Sequence, residues 1–508
     1  MADPEVTVRA SETTAPPFAR VPVAAIALAA VGVLLAVAGR YGYHRDELYF
    51  LAAGRHPDWG YPDQPPLVPL LARLISELAP DSLVALRVPG ALCAGAVVVV
   101  AGLIARELGG GRGAQALSAF AVAVMPVLLA AGHLLSTAIV DVLVWSVVTL
   151  LVLRLVGADP RAVAEDSAAR PARSRIAGAD PRWWLVVGAV LGIGLQNKLL
   201  PAFLAGALVL GVAVCGPRQV FRSSWLWAGV AVALAVWAPN LIWQAANGWP
   251  QWDMALHIAD GGSGTSNSRA EFLALQFGIG GLLPLWLLGL WLLWRRARMF
   301  VVAYAVLLIF FLGTGGKAYY MGGLYPLLTA AGAVLVLGGA RRTLVAVSMT
   351  AVVAAGAVFA VVVFLPVVPA HRLPGTIVAD LNYDAGETVG WPQFARQVDA
   401  LAQRHNTFDV VTANYGEAGA LQRFGDPGLR VYSGHNAYWW WGAPPDRAAV
   451  LVVGYDKSLL DNRFGSVTAV GVIDNGLGLG NDEQGAEIYL CRDPKDTWHR
   501  LWLTFKHY

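Results

Sequence analysis

Charge is scarce in this sequence. Only 14% of its 508 residues are Asp, Glu, Lys or Arg, while 56% are hydrophobic. No soluble globular class fits that balance, and it points to a membrane protein. A net charge of +3, spread over short loops with no basic, aromatic-interleaved patch, excludes a nucleic-acid-binding surface. Cysteine is nearly absent as well. Cys93 and Cys215 fall in apolar segments and Cys491 stands near the end, so no disulfide framework or CxxC metal site is expected. The chain has no HExxH and no P-loop, since Gly109-Gly110-Gly111-Arg112-Gly113 lacks the GK[ST] ending and reads as a connector. One histidine, His133, near one aspartate, Asp141, is too little to hold a metal, and no cofactor or metal is expected.

Long apolar runs dominate what is present. Stretches able to cross a bilayer begin at about Val21, Leu86, Ala114, Leu134, Trp183, Leu200, Trp225, Phe272, Phe300, Gly323 and Leu344, roughly eleven in all. With the first 20 residues as a cytoplasmic tail, the inside loops carry Arg106 and Arg112, six arginines within 154–182, Arg218 and Arg222, Arg295 to Arg298, and Arg341-Arg342. Each satisfies the positive-inside rule. Ala36-Val37-Ala38 resembles a signal cleavage site, but the long run before it favours an uncleaved first span. The expected organisation is therefore a tail (1–20), a transmembrane domain (21–366) and an extracytoplasmic α/β domain (367–508).

That topology sends three elements to the external face: the 40–83 loop, the 245–270 loop and everything after about Pro366. The first of them carries Arg45, Asp46 and Glu47 directly after the first span, then Trp59, Tyr61, Asp63, Gln64 and the Pro65-Pro66 stop, then an amphipathic run from Leu67 to Leu78. A carboxylate pair at a membrane edge either caps a helix or lines a polar cavity, and the polar loop behind it favours the cavity. In the second, Gly261 to Ser266 reads equally as a lid or a slack connector. The cytoplasmic 158–182 segment is expected to be a solvated linker.

In the third, elements alternate: a helix at Pro392–His405, a strand at Phe408–Ala413, a helix at Gly416–Phe424, then strands at Leu429–Tyr432, Ala448–Gly454, Ser466–Ile473 and Glu487–Cys491. The run from Tyr432 to Gly442 holds His435 and Asn436 and three consecutive tryptophans. Its aromatic faces suit core packing, a sugar ring or a membrane interface. Lys198 and Lys317 stand on the external side against the positive-inside bias, which is explained either by snorkelling or by an anionic ligand.

The order of these motifs resembles the GT-C membrane glycosyltransferases, with the nearest likeness to the protein O-mannosyltransferase and lipid A aminoarabinose transferase group. The resemblance is carried by Asp46-Glu47, by Tyr61-Pro62-Asp63-Gln64-Pro65-Pro66-Leu67, by Asp141, and by Lys317-Ala318-Tyr319-Tyr320 before Leu324-Tyr325-Pro326, over roughly residues 20 to 340. Asn414 to Ala420 and Ser433-Gly434-His435-Asn436 are similar to the bacterial branch with an external module. The resemblance implies transfer of a sugar from a polyprenyl-phosphate carrier to a lipid, glycan or protein acceptor outside the cytoplasmic membrane of a bacterium. It implies Asp46 as catalytic carboxylate with Glu47 beside it, Lys317, Lys198 and Arg45 near the donor phosphate, and Tyr61, Asp63, Gln64, Asp141, Tyr319, Tyr320, His435 and Asn436 around the substrate. Gln64 departs from the pattern, standing where the aminoarabinose transferases carry a lysine.

Chemistry argues in the same direction. A hydroxyl is a poor nucleophile, so transfer gains from a carboxylate that takes its proton, and the leaving phosphate gains from nearby lysines. A non-enzymatic lipid or solute transporter would also explain many spans and intramembrane charge. Transporters commonly show internal repeats, however, and no convincing repeat is found in this sequence.

Overall fold

The computed structural model describes residues 16–157, 180–260, 268–281, 285–338, 342–446 and 449–508. The Gly261–Ser266 insert, Arg341 and most of the 158–182 linker lie outside the described residues.

The chain is a multi-pass helical membrane protein with a C-terminal domain built on a mixed sheet. Among the described residues, six helices are long and apolar enough to cross a membrane by length and composition, or seven if the bent pair Arg112–Ala123 and Pro126–Gly132 is one span. That is fewer than the eleven expected. Trp183–Leu195, Leu200–Cys215 and Arg298–Gly313 are apolar but only 13 to 16 residues long. The run beginning near Phe272 is divided between Arg269–Ile279 and Leu285–Arg296. Hydropathy registers apolar length, whereas a break depends on local backbone chemistry, and so short and broken helices were counted as full spans.

Leu83–Glu107 is the central helix, packed against Arg20–Val37, Arg112–Ala123, Thr137–Val156 and Tyr325–Leu337. Small residues let other helices approach closely. Where Trp183–Leu195 crosses Ser224–Ala246, a Cβ on Gly188 would lie 2.0 Å from the Gly229 carbonyl oxygen, so glycine is required at the crossing.

Arg45–Arg55 is a short helix closed by a reciprocal cap: His44 accepts from the Asp46 amide, and Glu47 Oε2 accepts from the His44 amide at 2.9 Å. The Leu67–Leu78 helix behaves as its amphipathic pattern predicts. Val68, Pro69 and Ala72 pack inward, while Leu70, Leu74 and Leu78 are exposed.

The C-terminal sheet has strands β1 (Asp409–Thr412), β2 (Arg430–Ser433), β3 (Val450–Val453), β4 (Phe464–Val472) and β5 (Glu487–Pro494) in the order β2-β1-β3-β5-β4. β1 lies parallel to β2 and β3, while β5 runs antiparallel to β3 and β4. β1 and β3 are buried along their whole length, as expected of strands covered on both faces. Trp391–His405 and Tyr415–Phe424 cover one face, and Trp498–Leu503 covers the other. The first face is continuous with the membrane-side loop. Trp391, Phe394, Ala418 and Leu451 share one apolar cluster with Leu48, Tyr49, Phe50 and Leu86. The sheet domain is thus seated on the Arg45–Arg55 helix through a common core.

Candidate active site

Beneath the sheet domain lies a cavity of about 580 Å³. Its walls come from three sources: the Arg45–Arg55 helix with the loop after it, the ends of membrane helices, and loops of the C-terminal domain. Arg45, Asp46, Asp63, Gln64, Lys198, Lys317, Tyr319, Tyr320, His435 and Asn436, all singled out from sequence, line it. Glu47, Tyr61 and Asp141 do not.

Two of those three have structural work that accounts for their position. Glu47 is fully buried and paired with Arg87, whose Nε reaches Oε1 at 2.9 Å and whose Nη2 reaches Oε2 at 2.8 Å. The Leu135 amide also donates to Oε1 at 3.0 Å. Burial alone would raise the Glu47 pKa, but the Arg87 charge and these hydrogen bonds hold it below its usual value. Its carboxylate faces protein on all sides, unlike its neighbour Asp46. Tyr61 donates its hydroxyl to the carbonyls of Ala53 and His56 at 2.9 and 3.0 Å, pinning the turn that carries Asp63. Asp141 is buried in Thr137–Val156, with Oδ1 lacking a hydrogen-bond partner.

Asp46 is 42% exposed on the cavity wall, and its Oδ1 accepts a 2.7 Å hydrogen bond from the phenol of Tyr415 in the C-terminal domain. A second pair stands beside it: Tyr49 donates to Asp63 Oδ1 at 2.5 Å, and the two tyrosine rings are 4.9 Å apart. Burial, and then the charge of Asp46, keep the Tyr415 phenol well above its usual pKa, so it remains a donor. Burial pushes the Asp63 carboxyl up to about 7; the bond from Tyr49 opposes this and the Asp46 charge adds to it.

The cations divide likewise. Arg45 Nη1 contacts Tyr383 at 3.1 Å, Glu387 at 3.1 Å and Asp482 at 2.8 Å, and its guanidinium stacks over Tyr415. It is committed to tying the two domains together, which weakens its claim to the donor phosphate. Lys198 lies in the break between Trp183–Leu195 and Leu200–Cys215, its Nζ 3.3 Å from the Tyr319 hydroxyl and near the faces of both Tyr319 and Tyr320. Lys317 precedes the 3₁₀ turn that carries those tyrosines. Among the described residues no group of three or more His, Cys, Asp or Glu is arranged to hold a metal ion.

The aromatic run folds as a 3₁₀ turn, Asn436–Trp441, wedged between the domains. Trp441 stacks on His56 with centroids 4.4 Å apart, and Trp440 stacks on Trp243 at 5.4 Å. Partly buried packing between the two domains thus accounts for Trp440 and Trp441. Tyr415, Tyr383, Asp384 and Asp482 line the cavity too and were not singled out from sequence. Only Tyr415 left a signal, lying inside the Asn414–Ala420 motif.

The dolichyl-phosphate-mannose-protein mannosyltransferase family profile matches residues 63–162 and 174–243. No curated protein matches the chain. Among solved structures, ArnT from Cupriavidus metallidurans in the apo state is similar with a TM-score of 0.59 and 17% identity, over 92% of this chain and 97% of that one. The same protein bound to undecaprenyl phosphate gives a TM-score of 0.57 and 18% identity over the same shares. The fold and the matched segments uphold the resemblance read from the motifs.

Proposed function

On the premise that this chain is a GT-C membrane glycosyltransferase, we propose that it moves a sugar from a polyprenyl-phosphate carrier to a hydroxyl of an envelope acceptor, with Asp46 as the general base. The observation that carries this reading is the single cavity shared by Asp46, Lys198 and Lys317. The acceptor hydroxyl gives its proton to Asp46 as its oxygen bonds to the anomeric carbon, while the bond from that carbon to the phosphate oxygen breaks. Attack from the face opposite the phosphate inverts the anomeric centre. The departing phosphate gains negative charge, which Lys198 and Lys317 offset. ArnT, whose fold this chain shares, binds undecaprenyl phosphate, and that supports a polyprenyl-phosphate donor.

We place the cavity on the extracytoplasmic side of a bacterial cytoplasmic membrane, and the arginine distribution supports that side. Leu83–Glu107 spans roughly 37 Å at 1.5 Å per residue. Asp81, just before its start, pairs with Arg423 of the C-terminal domain, and at its far end Arg154 bonds Glu107 and Arg296 bonds the Leu108 carbonyl. The basic loops and the cavity therefore sit at opposite ends of one helix. Eleven crossings, which require the short and broken helices to traverse the membrane as well, would give the chain a cytoplasmic amino end and an external carboxyl end. We propose domain boundaries near residues 20 and 366 on the same reading.

The test is transfer from a panel of radiolabelled polyprenyl-phosphate sugars to envelope lipids and glycans by the purified protein. Transfer from a lipid-linked sugar supports the reading. Efficient transfer from a soluble nucleotide sugar in the absence of polyprenyl phosphate overturns it.

A further inference from the structure

The Ser433–Asn436 turn, at the end of β2, is built more tightly than its packing requires. Gly434 lies so close to the last residues of the chain that a Cβ there would sit 1.9 Å from the Phe505 carbonyl oxygen. The turn is clamped on both sides: the His507 amide donates to the Gly434 carbonyl at 3.1 Å, and the Asn436 amide donates to the His507 carbonyl at 3.1 Å. Asn436 takes the left-handed conformation, φ +51°. Asparagine adopts this conformation more readily than most residues, so the identity of the side chain suits the turn.

The clamped turn delivers two side chains to the cavity wall. Asn436 is 94% buried, and its Oδ1 has no hydrogen-bond partner. His435 lies between Tyr415, tilted 45° to it, and His507, on which it stacks, with centroids 4.7 Å from each, and its Nδ1 is buried without a partner. Native proteins rarely leave such atoms unsatisfied unless a water or ligand meets them. Burial, then the neighbouring His507 and Arg45, hold the His435 pKa well below its usual value, so it meets a ligand as a neutral imidazole.

The position relative to Asp46 assigns a role. Tyr415 touches His435 on one side and bonds Asp46 on the other, so the turn belongs to the C-terminal wall, whereas Lys198 and Lys317 belong to the membrane-helix wall. The carboxylates Asp384 and Asp482 are the fixed charges that the C-terminal domain itself sends to the cavity among the described residues. Asp384 and Asp482 are each about half exposed there, Asp384 lying 3.5 Å from His44 and Asp482 2.8 Å from Arg45, so the cations that face them are already engaged. A phosphorylated acceptor would approach two carboxylates, an unfavourable juxtaposition that builds discrimination.

We propose that the Ser433–Asn436 turn forms the acceptor subsite, with Asn436 Oδ1 and His435 Nδ1 hydrogen-bonding hydroxyl groups of an uncharged glycan. This rests on the transferase reading for the word acceptor. Its test does not need the donor.

The test titrates full-length protein in detergent with methyl glycosides of neutral hexoses and pentoses, and in parallel with hexose 6-phosphates, following fluorescence of the adjacent Trp439–Trp441. Asn436→Gly removes the carboxamide where glycine tolerates the backbone, and His435→Phe keeps the ring stack. A neutral glycoside should give a saturable change, weakened about tenfold or more in either variant, as the loss of one well-made hydrogen bond requires. Phosphorylated sugars should bind more weakly than their neutral counterparts. Equal or tighter binding of the phosphates in the wild type overturns the uncharged ligand, and that comparison needs no variant. No saturable change, or affinity unaltered in both variants, overturns the subsite. Intact glycoside binding without transfer from any donor would instead fault the transferase reading.

Discussion

The Tyr415 phenol donates a 2.7 Å hydrogen bond to Asp46 Oδ1, although 369 residues separate the two in sequence. One belongs to the sheet domain and the other to the loop after the first span. The bond holds the carboxylate in place on the cavity wall, and the seating of the C-terminal domain thereby becomes part of the candidate site. Tyr415→Phe keeps the ring against Tyr49 and deletes only the donor. We expect kcat to fall about ten- to a hundredfold, the cost of a hydrogen bond to a charged group, with the melting temperature close to wild type. An unchanged kcat would remove Tyr415 from the support of Asp46.

Glu47 and Asp46 are adjacent but should behave differently on substitution. Removing one partner of the buried Glu47–Arg87 pair leaves an uncompensated charge, at a cost of about 3–5 kcal/mol. Arg87→Ala should therefore lower the yield of folded protein and the melting temperature sharply. Glu47→Gln should do so to a smaller degree. Thermal unfolding in detergent checks both, and a wild-type melting temperature in Arg87→Ala would contradict the structural role.

The carboxyl of Asp63, raised to about 7, keeps its proton below that pH and loses it above. Its negative charge in the cavity then favours positive charge developing on the sugar ring. The rate of transfer should accordingly rise through about pH 7. Asp63→Asn should abolish that step. A step that persists in the variant would assign it to another group.

On the proposed mechanism, loss of either lysine removes charge facing the leaving phosphate. Lys317→Ala should slow turnover strongly, by about 10² to 10³. Lys198→Ala should have a smaller effect, because the hydroxyls of Tyr319 and Tyr320 stay beside its position. A chelator should change the rate little. Steady-state kinetics with a lipid-linked donor decides these outcomes.

Much of this was legible in the sequence because each feature had a local signature. Carboxylates and lysines beside apolar runs stand out against hydrocarbon, and alternating patterns located the Trp391–His405 helix and all five strands within a few residues. What stayed hidden was long-range. Nothing in the sequence says that Arg87 pairs with Glu47, or that Arg45 reaches Asp482 across 437 positions. Asp46-Glu47 reads as a pair, yet helical geometry turns successive residues to different faces, one toward the cavity and one into the core. The aromatic faces at 439–441 suit core packing, a sugar ring or a membrane interface alike, and only the docked domains show Trp441 packed on His56 and Trp440 on Trp243.

The measurement closest to the central claim compares wild type with Asp46→Asn in transfer of a radiolabelled sugar from polyprenyl phosphate, with thermal unfolding recorded on the same preparations. Asp46 is partly exposed and outside the buried ion pair, so the substitution should leave the melting temperature near wild type. Transfer should fall to background. Turnover at the wild-type rate by a folded Asp46→Asn protein would contradict the account and move the base elsewhere.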